Sequence, residues 1–199
     1  MPSGLSLADG SRCWLADVVV DVAALGRQPV LEGRLVRLEP AAPEHLEGLW
    51  PLYSGGEDDP FLALTREQAR AGLARARERE DRADWAIVRR EDDLVVGEAV
   101  LMGLHEEASS MSYRIALVGP EVFGHGYGTE STRLVRDFAF GPLGLHRLAL
   151  EVNSFNEPAI AVYRKVGFVL EGVRREAVRH EGAWHDVHDM AILASDPRP

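Results

Sequence analysis

Gly124, Gly126 and Gly128 alternate with His125 and Tyr127 between a strand-like run that ends near Val118 and a helix-like run that ends near Phe140. Glycine lets the backbone enter positive φ, and without a side chain it lets a ligand come close. The first N–H groups of a helix have no internal partner. With the helix dipole they form a site for an anion, a phosphate above all. No lysine follows in the P-loop pattern, so a nucleotide-triphosphate cradle is excluded. The dinucleotide fingerprint also fails, because Thr129 stands where it needs a further glycine. Two readings stay open on these residues alone: a phosphate loop, and a glycine-rich turn with no ligand.

Composition narrows the partners. The 199-residue chain carries 32 acidic and 22 basic residues, a formal net charge of -10. That balance disfavours nucleic acid as a partner, and suits a cationic one only weakly. Cys13 is the single cysteine, so no internal disulfide forms, and a reducing cytoplasm is expected. The most apolar early run, Trp14 to Leu25, is interrupted by Asp17 and Asp21 and falls short of a membrane span. It lacks the features of a signal peptide, and residues 1–29 read as an appendage of unknown role. In it Cys13-Trp14-Leu15 and Val18-Val19-Val20 could add a strand or cover an apolar patch. His180, His185 and His188 invite a metal reading, but strand alternation sends His185 and His188 to opposite faces, and no metal is expected.

Periodicity orders the rest. Arg34–Glu39 reads as a short strand, Pro43–Tyr53 as a helix, and Arg66–Arg82 as a charged helix with Ala69, Leu73 and Ala76 inward. Trp85–Val88, Leu94–Leu104 with a bulge at Gly97, and Ser109–Val118 read as an antiparallel meander. The glycine loop then opens a helix with an apolar stripe of Leu134, Val135 and Phe138. A buried strand, Leu148–Val152, leads to a helix from Asn156 to Val166, and Phe168–Val173 and Val187–Leu193 close the chain. The fold class is α/β (α+β). It is expected as one domain over residues 30–195, with a mixed, mostly antiparallel sheet and helices on both faces.

The second half carries further chemistry. Asn156 suits a helix cap, with Pro158 in the first turn. Asn156, Ala159 or Ile160, Tyr163 and Gly167 share one helix face, toward the sheet. In the strand before it, Leu148, Leu150 and Val152 take one face, and Ala149, Glu151 and Asn153 the other. Asp186 and His188 share a strand face and read either as the rim of an acceptor site or as a solvated edge.

The glycine loop followed by Leu150-Glu151-Val152-Asn153 and the Asn156-to-Tyr163 helix with its Gly167-Phe168 exit resembles the GCN5-related N-acetyltransferase (GNAT) superfamily. The opening Leu31-Glu32-Gly33-Arg34-Leu35-Val36-Arg37-Leu38 and the closing Phe168–Arg174 and Gly182–Asp186 are similar to its ribosomal-protein (RimJ/RimL-like) type. The resemblance covers about residues 31–193. It implies acetyl-coenzyme A as co-substrate and an amine acceptor. Phe123, Gly124, His125, Gly126, Tyr127, Gly128 and Thr129 would hold the pyrophosphate, through backbone N–H groups from His125 to Thr129. Asn156 and Ala159 would lie along the pantetheine arm. A backbone N–H among Ala116, Leu117 and Val118 would stabilise the oxyanion. Tyr163 would protonate the leaving thiolate, and Glu151 would take the amine proton through water.

Two positions depart from that pattern. Phe123 replaces a polar phosphate contact, and Ala159 stands where the type often has an acid serine, which leaves the acid role to Tyr163. Protein N-termini, polyamines, aminoglycoside-like antibiotics and amino acids are all open as acceptors, and so is a homodimer. A non-catalytic acyl-coenzyme A sensor is the competing reading. The loops Ser54–Thr65 and His105–Ser110 are expected to contact the acceptor.

Overall fold

The computed structural model describes residues 20–55 and 63–198. In chain order the elements are α1 (Val22–Arg27), β1 (Leu31–Glu32), β2 (Val36–Pro40), α2 (Leu46–Tyr53), α3 (Arg66–Arg75), β3 (Ala83–Arg89), β4 (Val95–His105), β5 (Ser110–Leu117), α4 (Tyr127–Phe140), β6 (Arg147–Asn153), α5 (Glu157–Val166), β7 (Val169–His180) and β8 (Ala183–Leu193). The eight strands form one sheet in the order β1-β2-β3-β4-β5-β6-β8-β7. Every neighbouring pair is antiparallel except β5 and β6.

Strand alternation distributes the core to two faces. On β3, Trp85 and Ile87 join Val135 and Phe138 of α4, and the Trp85 and Phe138 rings meet edge to face at 5.5 Å. Ala86 and Val88 instead pack with Leu46 and Leu49 of α2 and Ala69 and Leu73 of α3. The sheet is therefore covered on both sides, as the mixed α/β reading requires. Among the described residues no helix is long and apolar enough to cross a membrane.

Four elements, two helices and the two closing strands, differ most from their sequence outlines. The Pro43 helix opens as a 3-10 turn, Pro43–His45, and becomes α-helical at Leu46. The charged helix ends at Arg75, with a 3-10 turn to Glu78, although Ala69, Leu73 and Ala76 do face inward. The closing pair is a longer hairpin, because Glu181 (φ 49°) and Gly182 (φ 79°) make the two-residue positive-φ turn that matches strand twist.

Within the segment read as an appendage, residues 20–29 are packed. Leu25 is 0% exposed and Ala24 3%, both in the main core, and the Trp85 indole N–H donates to the Pro29 carbonyl at 3.0 Å. Cys13-Trp14-Leu15, Val18 and Val19 lie outside the described residues, as does much of the Ser54–Thr65 loop.

Candidate active site

The sheet opens at one place. β5 and β6 pair in parallel only from Ser110↔Arg147 to Ser112↔Ala149. Beyond that β5 stays with β4 as far as Gly97↔Leu117, while β6 stays with β8 as far as Asn153↔Val187. The two strands part into a V, and a cleft of about 1390 Å³ lies along it, lined by Ile115, Glu151, Asn156 and Tyr163 among others.

Ladder parity fixes which backbone groups face the gap. The Val118 N–H donates to the Val96 carbonyl at 3.1 Å, so even-numbered β5 residues bond β4. The Arg147 N–H donates to the Ser109 carbonyl at 3.2 Å, so odd-numbered ones turn toward β6. Of the trio Ala116, Leu117 and Val118, only Leu117 presents its N–H to the gap, and Ile115 presents another. Among the described residues no strand pairs with that edge of β5 beyond Ser112. The bulge expected at Gly97 is present: Ile87 pairs with Gly97 and Val88 with Val95, leaving Val96 over to receive Val118.

At the open end of β5 the chain makes a 3-10 turn, Pro120–Val122, and enters the glycine loop. Gly124 (φ 77°) and Gly126 (φ 87°) both occupy the left-handed region, and Gly126 caps α4. A Cβ on Gly126 would lie 3.3 Å from Leu35 Cδ1, whereas one on Gly128 would meet only Leu117 Cδ1 at 3.9 Å. The first intrahelical bond runs from the Glu130 N–H to the Gly126 carbonyl at 3.0 Å. The N–H groups of Tyr127, Gly128 and Thr129 therefore point out of the helix end without an internal partner. Phe123 (54% exposed) and His125 stand at the surface, while the Tyr127 ring is buried and stacked on His125 at 5.5 Å.

Two side chains reach the V from opposite sides of the sheet. Asn156 caps α5, its Oδ1 accepting the Ala159 N–H at 3.2 Å, and Pro158 sits in the first turn. That start places Tyr163 inward, 6% exposed, packed against Phe168 and lining the cleft. Burial pushes its hydroxyl up to about 12, so it holds its proton at neutral pH. Glu151 lies on the other face of β6, as alternation requires, and is exposed. Its carboxylate pairs with Arg174, which also contacts Asp189 at 3.2 Å.

Comparison with known proteins gives this arrangement a family. The description of the acetyltransferase (GNAT) domain matches residues 36–169, which hold β2 through α5 and both arms of the V. The chain belongs to the GNAT acetyltransferase family. The N-alpha-acetyltransferase RimI of Mycobacterium tuberculosis is 30% identical over 172 residues, 85% of this chain and 96% of its own. The spermidine N(1)-acetyltransferase of Escherichia coli is 43% identical over a shorter stretch of 77 residues, 39% of this chain. That stretch spans only 41% of the Escherichia coli protein. A solved structure of RimL, a ribosomal L7/L12 alpha-N-protein acetyltransferase in complex with coenzyme A, shares the fold at TM-score 0.71 and 17% identity. It covers 83% of this chain and 98% of the RimL chain. The family's enzymes use acetyl-coenzyme A as co-substrate. Free N–H groups at α4, glycines without Cβ and a V open to its end are a fit for that molecule.

This GNAT chain carries a polar cluster that periodicity did not single out. Glu98 is 5% exposed in the middle of β4. Its carboxylate accepts from the Tyr53 hydroxyl at 2.7 Å and from Arg114 at 2.6 Å. The Tyr53 hydroxyl is pushed upward by burial and by the Glu98 charge. The cluster lines a second cleft of about 570 Å³ under α2 and α3, which shares Arg79, Arg82 and Arg114 with the V. The available signal was a single carboxylate inside the apolar run Val95–Leu101.

Other candidates lie elsewhere. The His105–Ser110 turn joins β4 to β5 at the closed end, away from the V. The Asp186 carboxylate accepts the Glu176 N–H at 2.9 Å and so braces an irregularity in β7. His180 and His185 both pack on Phe155, at 4.5 and 4.9 Å between ring centres. His188 pairs in register with Val152 and Val173, on the face opposite His185. Among the described residues no three or more His, Cys, Asp or Glu side chains group as a metal site.

Proposed function

We propose that this protein transfers the acetyl group of acetyl-coenzyme A directly to a primary amine, within a ternary complex in the V between β5 and β6. The observation that carries the reading is the pair of outward N–H groups on Ile115 and Leu117, with Tyr163 on one side of them and Glu151 on the other. The first turn of α4 and the glycine loop hold the pyrophosphate. The Asn156 turn and the Ala159 segment flank the pantetheine arm.

The neutral amine nitrogen bonds to the thioester carbonyl carbon, and the oxyanion that forms is met by the Leu117 and Ile115 N–H groups. Glu151 receives the proton that the nitrogen loses, through water. The C–S bond then breaks, and the departing sulfur takes the Tyr163 hydroxyl proton, which solvent restores.

The acceptor comes from the α2–α3 side, where the carboxylates are already matched by arginines. Asp84 is held by Arg82, Glu98 by Arg114, Glu151 and Asp189 by Arg174, and Glu171 by Arg147. A polycation gains little from carboxylates so engaged. A single amine on an otherwise neutral chain fits them better, which supports the ribosomal-protein (RimJ/RimL-like) type with a polypeptide N-terminus as acceptor. The stretch similar to a spermidine acetyltransferase gives a polyamine as the second reading. We further propose that the catalytic unit spans residues 30–195, with residues 20–29 packed onto it.

Release of free coenzyme A, followed with neutral peptides, spermidine and single amino acids as acceptors, tests the reading. The expected result is release that requires an amine and is fastest with a peptide N-terminus. Faster turnover with spermidine would transfer the acceptor assignment to polyamines. Binding of acetyl-coenzyme A with no amine-dependent release would favour the non-catalytic sensor.

A further inference from the structure

We propose that Glu130 is the positioning residue of the phosphate grip, a role that rests on the reading of the glycine loop given above. Glu130 lies in the first turn of α4, one residue beyond the N–H groups assigned to the pyrophosphate. A free carboxylate there would oppose the charge of the incoming phosphates. Its oxygens are engaged elsewhere. Oε1 accepts the Arg34 N–H at 3.0 Å, and Oε2 accepts those of Leu35 at 2.6 Å and Val36 at 2.8 Å. Three successive N–H groups of the β1–β2 turn thus close around one side chain of α4, as such concave backbones do around anions.

The turn is shaped for this contact. The Gly33 N–H donates to the Val36 carbonyl at 2.9 Å, which folds the turn back. A Cβ on Gly33 would lie 2.8 Å from Glu130 Oε2 and 2.7 Å from the Val36 carbonyl oxygen, so only glycine admits the carboxylate this closely. The clamp also sets Leu35 beside Gly126, at the 3.3 Å that a Cβ there would leave. One carboxylate therefore fixes the height of the β1–β2 turn over the glycine loop and turns its own charge from the helix end. A second tie holds the same turn of α4 from the sheet. The Thr132 hydroxyl donates to the Gly128 carbonyl at 2.7 Å, so the Tyr113 hydroxyl, 3.1 Å away, is left as the donor to Thr132.

A positioning role for the grip differs from general support of the fold in one readout. Acetyl-pantetheine carries the thioester but no pyrophosphate, so the ratio of kcat/KM for acetyl-coenzyme A to that for acetyl-pantetheine measures the grip alone. The parent enzyme is expected to favour acetyl-coenzyme A. Glu130→Ala should lower the ratio tenfold or more, mainly by raising KM for acetyl-coenzyme A. Glu130→Gln keeps one accepting oxygen and should fall between. Gly33→Ala, which presses on the carboxylate from the other side, should lower the ratio too and carries the test if Glu130→Ala fails to fold. Equal losses with both thioesters, or an unchanged ratio in a folded Glu130→Gln enzyme, would overturn the proposal. A parent enzyme with no preference between the thioesters would overturn the grip itself, and the role of Glu130 with it.

Discussion

In the proposed mechanism the chemistry turns on Tyr163, a buried residue that the α5 cap sets against the V. Tyr163→Phe removes one oxygen and keeps the ring against Phe168, so coenzyme A affinity should hold while kcat falls. Proton donation is worth on the order of a hundredfold or more, and a thiolate is a good enough leaving group to put the loss near the lower end. Steady-state kinetics should show a lower kcat at a similar KM, and parental kcat with chemistry rate-limiting would remove the assignment. Glu151→Gln should lower kcat in steady-state kinetics, and parental kcat would return Glu151 to a surface ion pair with Arg174.

Protonation also enters stability. The fold raises Tyr53, Tyr113 and Tyr163 above the ordinary value of 10.0, chiefly by burial. Between about pH 10 and 12 the unfolded chain loses these protons and the folded chain keeps them, so stability falls as pH rises. Each such proton contributes about 1.4 kcal/mol per pH unit. Urea unfolding at a series of alkaline pH values should show a shallower decline for Tyr163→Phe than for the parent. At this scale the sequence was legible where a helix period fixed a face, as for Asn156 and Tyr163. It was silent on Glu98, whose partners Tyr53 and Arg114 come from distant segments.

Among the elements, the glycine loop and α4 were the most legible, since backbone conformation and helix polarity are local. Gly126 at φ 87° adds a demand of its own. Gly126→Val should cost about 1–2 kcal/mol of backbone strain and press on Leu35. A domain with roughly 5–15 kcal/mol of stability stays folded through that loss. A tenfold or greater weakening of acetyl-coenzyme A binding, about 1.4 kcal/mol, would then report the cradle itself. Calorimetry giving parental affinity in the folded variant would remove the loop from the site. The β7–β8 hairpin was less legible. Its outer half, Arg174 to Trp184, carries charges and histidines in place of apolar alternation, and pairing with a neighbour strand makes it a strand. The charged helix was read too long for the opposite reason, as helix-forming residues continue past the point where Ala76 is the last to reach the core.

For the whole molecule, the order of strands could be foreseen as a meander followed by a closing pair, but the parting of β5 from β6 could not. That divergence arises because β5 is held by β4 and β6 by β8 along different lengths, a property of long-range register. The same holds for α1, whose Leu25 completes the core far from its place in sequence. Leu25→Ala should destabilise the fold by about 2–5 kcal/mol, measurable by denaturant unfolding, and a loss below about 0.5 kcal/mol would make the segment an appendage after all. The central claim, that the thioester lies in the V against the odd-numbered edge of β5, is tested most directly by backbone amide NMR during an acetyl-coenzyme A titration. The account predicts that the Ile115 and Leu117 amides shift strongly together with those of Tyr127 to Thr129, while Ala116 and Val118, bonded to β4, move little. Saturable binding that leaves Ile115 and Leu117 unmoved would contradict it.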